Sequence, residues 1–207
     1  MPGRDEVLDW LKAHALLLGV GLLLGAWGCS VWLDRPLHPP PGRVAAEEPT
    51  QGPPAEVATW RYLDYRFTSL ATFELRARVL SKERYRWDHG AALSPIDFAL
   101  GWGPMSDSAV LDQIRISQSD RWYHWRVSTP PIPLDQISAH SANMHLIPAN
   151  AHVKRILLEF REGQVVHLRG QLVSVEGPGG FHWTSSLSRL DTGDGSCELI
   201  WVEQAGP

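Results

Sequence analysis

One cysteine late in the chain and two histidines upstream of it are the residues best suited to covalent chemistry. Cys197 follows His140 and His145 by more than fifty residues. A histidine that removes the thiol proton makes cysteine a nucleophile, so these residues predict a transpeptidase or hydrolase that uses Cys197 with His145 or His140. The alternative is a buried, unreactive thiol, because strand alternation places Cys197 on the same face as Leu199 and Trp201.

The layout of the chain resembles the sortase transpeptidases in outline, with an anchor, a tether, a β domain, a histidine and a late cysteine. The family's Thr-Leu-x-Thr-Cys strand is replaced here by Gly195-Ser196-Cys197, and no arginine follows Cys197 to hold an oxyanion. The resemblance implies a cell-envelope enzyme whose active-site motif departs from that of the family.

Two other motifs have structural interpretations. Asp191-Thr192-Gly193 matches the catalytic triplet of aspartic proteases, but the chain has no second copy of it, so a hairpin turn is favoured. His140, His145 and His152 are spaced by five and seven residues, which fits neither a helix face nor a strand face. The sequence therefore predicts no metal site and no cofactor.

A row of basic residues is the most informative exposed feature. Between Phe73 and Trp87 the odd positions are mostly apolar, which is typical of a half-buried strand. The even positions predict a basic face that could bind an anionic lipid, glycan or protein. The alternative is a solvated face neutralised by carboxylates across the sheet. The basic row comprises Arg76, Arg78, Lys82, Arg84 and Arg86.

Strands dominate the sequence beyond residue 60. A hairpin is predicted at residues 114–127, and a three-stranded meander at residues 165–203 with a bulge or close approach at Gly170. An amphipathic helix is predicted between Asn150 and Gly163, whereas residues 141–148 show no clear period and stay unassigned. This order predicts a mainly β fold, with a small OB-like or related partly open β-barrel and one amphipathic helix.

The N-terminal part has a different organisation. After a tail at residues 1–12, residues 13–33 contain no charge and match the length of a transmembrane helix, with a cleaved signal peptide as the alternative. Gly21 and Gly25 predict a face on which two such helices pack as a homodimer. Residues 34–59 are proline-rich and predict an extended tether to a globular domain at residues 60–207.

Composition and a further resemblance narrow the function classes. The net charge of −4 argues against nucleic-acid binding, and two cysteines exclude a disulfide framework. Residues 100–107, 141–148, 185–189 and 191–198 resemble segments of a set of single-span bacterial membrane proteins. That resemblance implies an extracytoplasmic β-rich domain and supplies no activity.

These observations predict a membrane-anchored, non-enzymatic binding or accessory module of the bacterial cell envelope. Its anchor would lie in the cytoplasmic (inner) membrane, with the C-terminal domain facing the periplasm or the outside. The expected partners are the lipid bilayer and an anionic envelope ligand or protein. The alternatives are the cysteine enzyme described above and a subunit of a membrane protein complex.

Overall fold

The computed structural model of the chain describes residues 3–54, 58–188 and 196–207. It divides into two units, Met1–Arg35 and Pro36–Pro207. The first consists of helix α1 (Arg4–Leu33), and all the strands lie in the second. With 41% of residues in strands and 25% in helices, the expectation of a mainly β fold is confirmed. The turn expected at residues 191–195 lies outside the described residues.

Helix α1 exposes many large apolar side chains. They are Val7, Leu8, Trp10, Leu17, Val20, Leu22, Leu23, Leu24, Trp27 and Trp32. None of the helices in the described residues combines the length and hydropathy required to cross a bilayer, so the structure does not support the transmembrane helix expected at residues 13–33. A Cβ atom on Gly21 or Gly25 would meet no atom within 4 Å, and the packing role of these glycines stays a prediction.

The second unit is built from strands and three short α-helices. The strands are β1 (Thr50–Gly52), β2 (Thr59–Tyr62), β3 (Tyr65–Arg84), β4 (Ile96–Gly101), β5 (Arg115–Ser119), β6 (Trp122–Arg126), β7 (Ser141–Pro148), β8 (Val165–Glu176), β9 (His182–Thr184) and β10 (Glu198–Gly206). The helices are α2 (Ser108–Leu111), α3 (Leu134–Ala139) and α4 (Ala151–Glu159).

Five strands pair in a closed ring with the order β3-β4-β7-β10-β8. Strand β3 closes it because its 20 residues are long enough to pair with β8 over residues 66–78 and with β4 over residues 78–84. The pairs are antiparallel except for β7 and β10, which are parallel. The expected C-terminal meander is wrong, since β10 is inserted between β7 and β8 and so is paired along both edges.

The main hydrophobic core fills the interior of the ring. Phe73 and Leu75 of β3 belong to this core, whereas Phe67 belongs to a second cluster with Trp60 and Trp201. A β-bulge between Ser69 and Ala71 separates the two parts of the strand, because one extra residue changes the face on which a given parity points. A single long strand thus contributes side chains to the hydrophobic clusters on both sides of the sheet.

Helix α4, predicted as an amphipathic helix after Asn150, packs against the interior core. The Oδ1 atom of Asn150 accepts hydrogen bonds from the N–H groups of His152 and Val153, both at 3.0 Å, which caps the helix. Val153 and Leu157 then pack into the core. Gly170 of β8 is confirmed as a point of close approach, since a Cβ atom there would lie 1.9 Å from the carbonyl oxygen of Trp201.

The expectation that the basic row shares one exposed face is wrong. A second bulge in β3, between Val79 and Ser81, reverses the parity of the strand. Lys82 and Arg84 therefore pair across the strands with the core residues Phe98 and Ile96, and their side chains share the face of these residues. Arg76 and Arg78 point to the other face. Arg78 is buried, and Arg86 lies beyond the end of β3.

Most of the basic row bonds to the main chain. Four of its side chains donate hydrogen bonds to carbonyl oxygens: Arg76 to Val44, Arg78 to Ser106, Lys82 to Phe160 and Arg84 to Leu158. Burial lowers the pKa of the Arg78 guanidinium, partly offset by Asp112 and Asp107. Binding of an anionic partner by these residues stays a prediction, but a continuous exposed stripe is not available for it.

Part of the segment expected to be a tether is packed against the domain. The N–H group of Leu37 donates to the carbonyl of Glu162 at 2.7 Å, and Ala45 is buried. The carboxylate of Glu48 accepts a hydrogen bond from Nε1 of Trp102 at 2.7 Å. Strand β1 pairs with β3. The folded unit therefore begins at Pro36 rather than near residue 60. The prolines favour an extended chain, and the remaining polar groups of that chain bond to the domain.

Candidate functional site

Strand β7 carries the polar groups at the centre of the candidate site. Its residues are almost all buried, which removes the alternation that would have identified the strand in the sequence. Asn143 and His145 have the same parity, and His145 lies directly opposite Asp97 of β4. These polar side chains point away from the core residues Met144 and Leu146, onto the outer face of the ring.

Asp97 is the centre of a buried charge cluster. Its Oδ2 atom lies 2.7 Å from Nδ1 of His145, and its Oδ1 atom accepts a hydrogen bond from Arg121 at 2.9 Å. The hydroxyl of Ser94 donates to the same Oδ1 at 3.1 Å. The Asp97 side chain has no solvent exposure, so these partners replace the water that a carboxylate would otherwise require.

Arg121 joins this cluster to the loop between β3 and β4. Its Nε and Nη2 atoms donate to the two carboxylate oxygens of Asp88 at 2.6 and 2.9 Å, which lowers the pKa of Asp88. Its guanidinium carbon lies 3.7 Å from the centre of the Tyr85 ring. Burial, with a contribution from the negative charge of Asp97, raises the pKa of Tyr85 to about 12. The arginine thus holds a loop and a strand together.

The hairpin β5–β6 lies over the outer face of β7. Asp120 and Arg121 form its two-residue turn with φ values of 52° and 69°, as in a type I′ turn. The Nδ2 group of Asn143 donates to the carbonyl of Arg121 at 2.9 Å. On the same side, the Tyr123 hydroxyl lies 3.1 Å from the hydroxyl of Ser141. These bonds fix the hairpin relative to the ring.

A cleft of about 550 Å³ runs along β6, and we name it the β6 cleft. Aromatic side chains form much of its wall and hydrogen-bonding groups much of the rest. Burial raises the pKa of the Tyr123 hydroxyl against the opposing effect of the Ser141 hydrogen bond, and the charges of Glu198 and Cys197 raise it further. The lining includes Trp102, Trp122, Tyr123, Trp125, Arg126, Asp135, Asn143, Cys197 and Glu198.

The two histidines predicted as partners of Cys197 contact other groups. His140 lies 3.1 Å from the carboxylate of Glu48 through Nε2. His145 shares a face with Cys197, but the parallel register places His145 beside Leu199, so Cys197 lies level with Asn143. The Cys197 sulfur is 3.9 Å from Nδ2 of Asn143. A nucleophilic role for Cys197 with either histidine stays a prediction.

Several residues of the site carried no sequence signal. Asp97 and Arg121 are 24 positions apart, and their contact depends on the hairpin folding back over the ring. Trp183 packs against His145 with ring centres 4.7 Å apart, again across distant segments. Within the described ranges, no group of three or more His, Cys, Asp or Glu residues is arranged to hold a metal ion.

Comparison of the chain with protein-family models, with curated proteins and with solved structures gives no match.

Proposed function

We propose that the chain is a membrane-anchored, non-enzymatic binding module of the bacterial cell envelope, and that an OB-like domain presents its ligand site outside the cytoplasmic membrane. The observation that carries this proposal is the β6 cleft, which combines aromatic walls with hydrogen-bonding groups on the outer face of the strand ring. Such a combination is typical of ligand sites.

The order of the elements supports an OB-like domain. In an OB fold the first strand pairs with the second and the fourth, the third and fifth strands are parallel, and a helix connects the third strand to the fourth. Strands β3, β4, β7, β8 and β10 follow this order, and α4 lies between β7 and β8. Ligands of OB folds bind on the face of the second and third strands, which here are β4 and β7.

The positions of the two candidate bases favour binding over catalysis. A cysteine nucleophile is activated by a base that takes up the thiol proton. The register of β7 and β10 places His145 beside Leu199 rather than beside Cys197, and the His145 ring packs against Trp183. His140 contacts the carboxylate of Glu48.

The first prediction concerns attachment and orientation. The 21 uncharged residues at positions 13–33 support membrane attachment through α1. A reporter enzyme that requires the periplasm should be active when it is fused after Pro207, and a reporter that requires the cytoplasm should be inactive there. The reverse activities would overturn the orientation, and release of the chain from membranes by carbonate would overturn the anchor.

The second prediction tests the β6 cleft as the binding site. The wild type is first screened against a panel of soluble peptidoglycan fragments and random decapeptides. We expect the Trp122→Ala variant to bind the probe found in this way at least about tenfold more weakly than the wild type does, since aromatic contacts dominate such sites. Trp87→Ala is the matched control, because Trp87 is 95% exposed and lies outside the cleft. Fluorescence titration measures both.

Three outcomes separate the functions. Loss of binding in Trp122→Ala alone supports the proposal. Equal binding by the wild type and both variants would contradict it. Chemical conversion of a probe that stops in a Cys197→Ala variant would show instead that the domain is a cysteine enzyme.

A further inference from the structure

The edge of strand β6 that does not pair with β5 faces the β6 cleft. All five residues Trp122–Arg126 line the cleft, whereas none of the described residues of β5 does. Neighbouring residues of a strand point to opposite faces, so a run of five consecutive lining residues indicates that the cleft follows the edge of the strand rather than one face. The cleft therefore presents main-chain groups as well as side chains.

The register of the hairpin determines which main-chain groups are exposed. The two-residue turn makes Ser119 and Trp122 the first hydrogen-bonded pair, and bonded and non-bonded pairs then alternate. The N–H and C=O groups of Tyr123 and Trp125 consequently point away from β5. Within the described part of the chain, these groups have no main-chain partner outside the hairpin. Such an edge is a template for another strand.

We propose that the β6 cleft binds an extended peptide segment that carries a basic residue, and that this segment adds to β6 as a third strand of the hairpin. The inference rests on the proposed binding function and names its ligand class. Five residues of β6 span about 17 Å at about 3.4 Å per residue, so an added strand of about five residues would cover this edge. Strand addition obtains affinity from the main chain and specificity from pockets for alternate side chains.

The charges of the cleft give the preference for a basic residue. Among the described lining residues, the carboxylates are Asp135 and the buried Glu198, and Arg126 at the end of β6 is the one guanidinium. A lysine or arginine side chain of an added strand would be attracted to these carboxylates, and an acidic one would be repelled.

The test begins with selection of peptides on the protein itself. A phage-displayed library of random decapeptides is selected on the full chain in detergent micelles, and the strongest peptide is synthesised with one main-chain N-methyl group at each position in turn. We expect methylation at alternate positions to weaken binding by about tenfold or more, because it removes N–H groups that bond to Tyr123 and Trp125. The intervening positions should show changes below about threefold.

A pair of protein variants tests the same bond from the other side. Tyr123→Ala and Tyr123→Pro both lack the phenol, but only proline also lacks the N–H group that points into the cleft. Proline is tolerated on an edge strand at such a position, so the hairpin should persist in both, as near-UV circular dichroism will check. Peptide binding should be at least about tenfold weaker for Tyr123→Pro than for Tyr123→Ala.

The outcomes distinguish this inference from the proposed function. Selected peptides that contain lysine or arginine and show the alternating N-methyl pattern support it. Strand addition would be overturned, and the binding module left intact, by either of two results. The first is an N-methyl pattern without alternation; the second is binding of a peptidoglycan fragment, but of no peptide, that depends on Trp122. The absence of any probe that depends on Trp122 would overturn both. Dimerisation of the chain that Tyr123→Pro abolishes, without peptide binding, would identify a second copy as the occupant.

Discussion

Replacement of Asp97 by alanine is expected to destabilise the folded domain by about 3–5 kcal/mol. The side chains of Arg121 and His145 are only 16% and 5% exposed; His145 would lose the carboxylate that its Nδ1 atom contacts, and Arg121 would keep only the carboxylate of Asp88. Removal of one member of a buried ion pair leaves a charge or a polar group without solvation, which accounts for the size of the effect. Urea unfolding of the full chain in detergent micelles, followed by tryptophan fluorescence, measures the loss.

Asp88 provides the matched control because it bonds to the same arginine from the protein surface. Its side chain is 38% exposed, so water can replace it in contact with Arg121. We expect Asp88→Ala to cost about 0–1 kcal/mol. Asp97→Asn should fall between the two variants, since an amide keeps the shape and part of the hydrogen bonding. Equal losses for Asp97→Ala and Asp88→Ala would show that burial does not determine the strength of this cluster.

The elements with local signals were predictable from the sequence. Helix α4 was identified by the cap at Asn150 and by its apolar period, and both are confirmed. The β5–β6 hairpin was also expected, because two strand patterns flank a short polar turn. In each case the information lies within about fifteen neighbouring residues and does not depend on the rest of the fold.

Strand β7 and the bulges of β3 show where the sequence is insufficient. Strand β7 is buried along its length, so its residues have no alternation to detect. The bulge between Val79 and Ser81 changes the face of Lys82 and Arg84 without any glycine or proline to mark it. The alternation of residues along an unbroken strand predicts a continuous basic stripe, but β3 does not keep one alternation along its length.

The candidate site was predictable only as isolated residues. Cys197 and His145 were recognised by type, but Asn143 and Asp97 gained their importance from strand pairing. Asp97 contacts His145 across 48 positions of the chain, and such contacts follow from the order of strands in the ring. Until that order is known, a sequence cannot distinguish a buried charge cluster from scattered surface charges.

Removal of residues 36–57 is expected to be the most damaging change outside the ring. A fragment of residues 58–207 would lack the bonds from Leu37 to Glu162 and from Trp102 to Glu48, the buried Ala45, and strand β1. Each lost hydrogen bond contributes about 1 kcal/mol, and total stabilities are about 5–15 kcal/mol. We expect a loss of several kcal/mol.

The matched control for this truncation is a fragment of residues 36–207, which keeps the packed segment and lacks only the first unit. Because 1 kcal/mol corresponds to about 2–4 °C for a domain of this size, the shorter fragment should melt on the order of 10 °C or more below the longer one in circular dichroism. Equal melting temperatures would mean that residues 36–57 contribute little to the fold and act as the free tether that their proline content indicates. A fragment 58–207 that is unfolded while fragment 36–207 folds would instead make the segment an integral part of the domain.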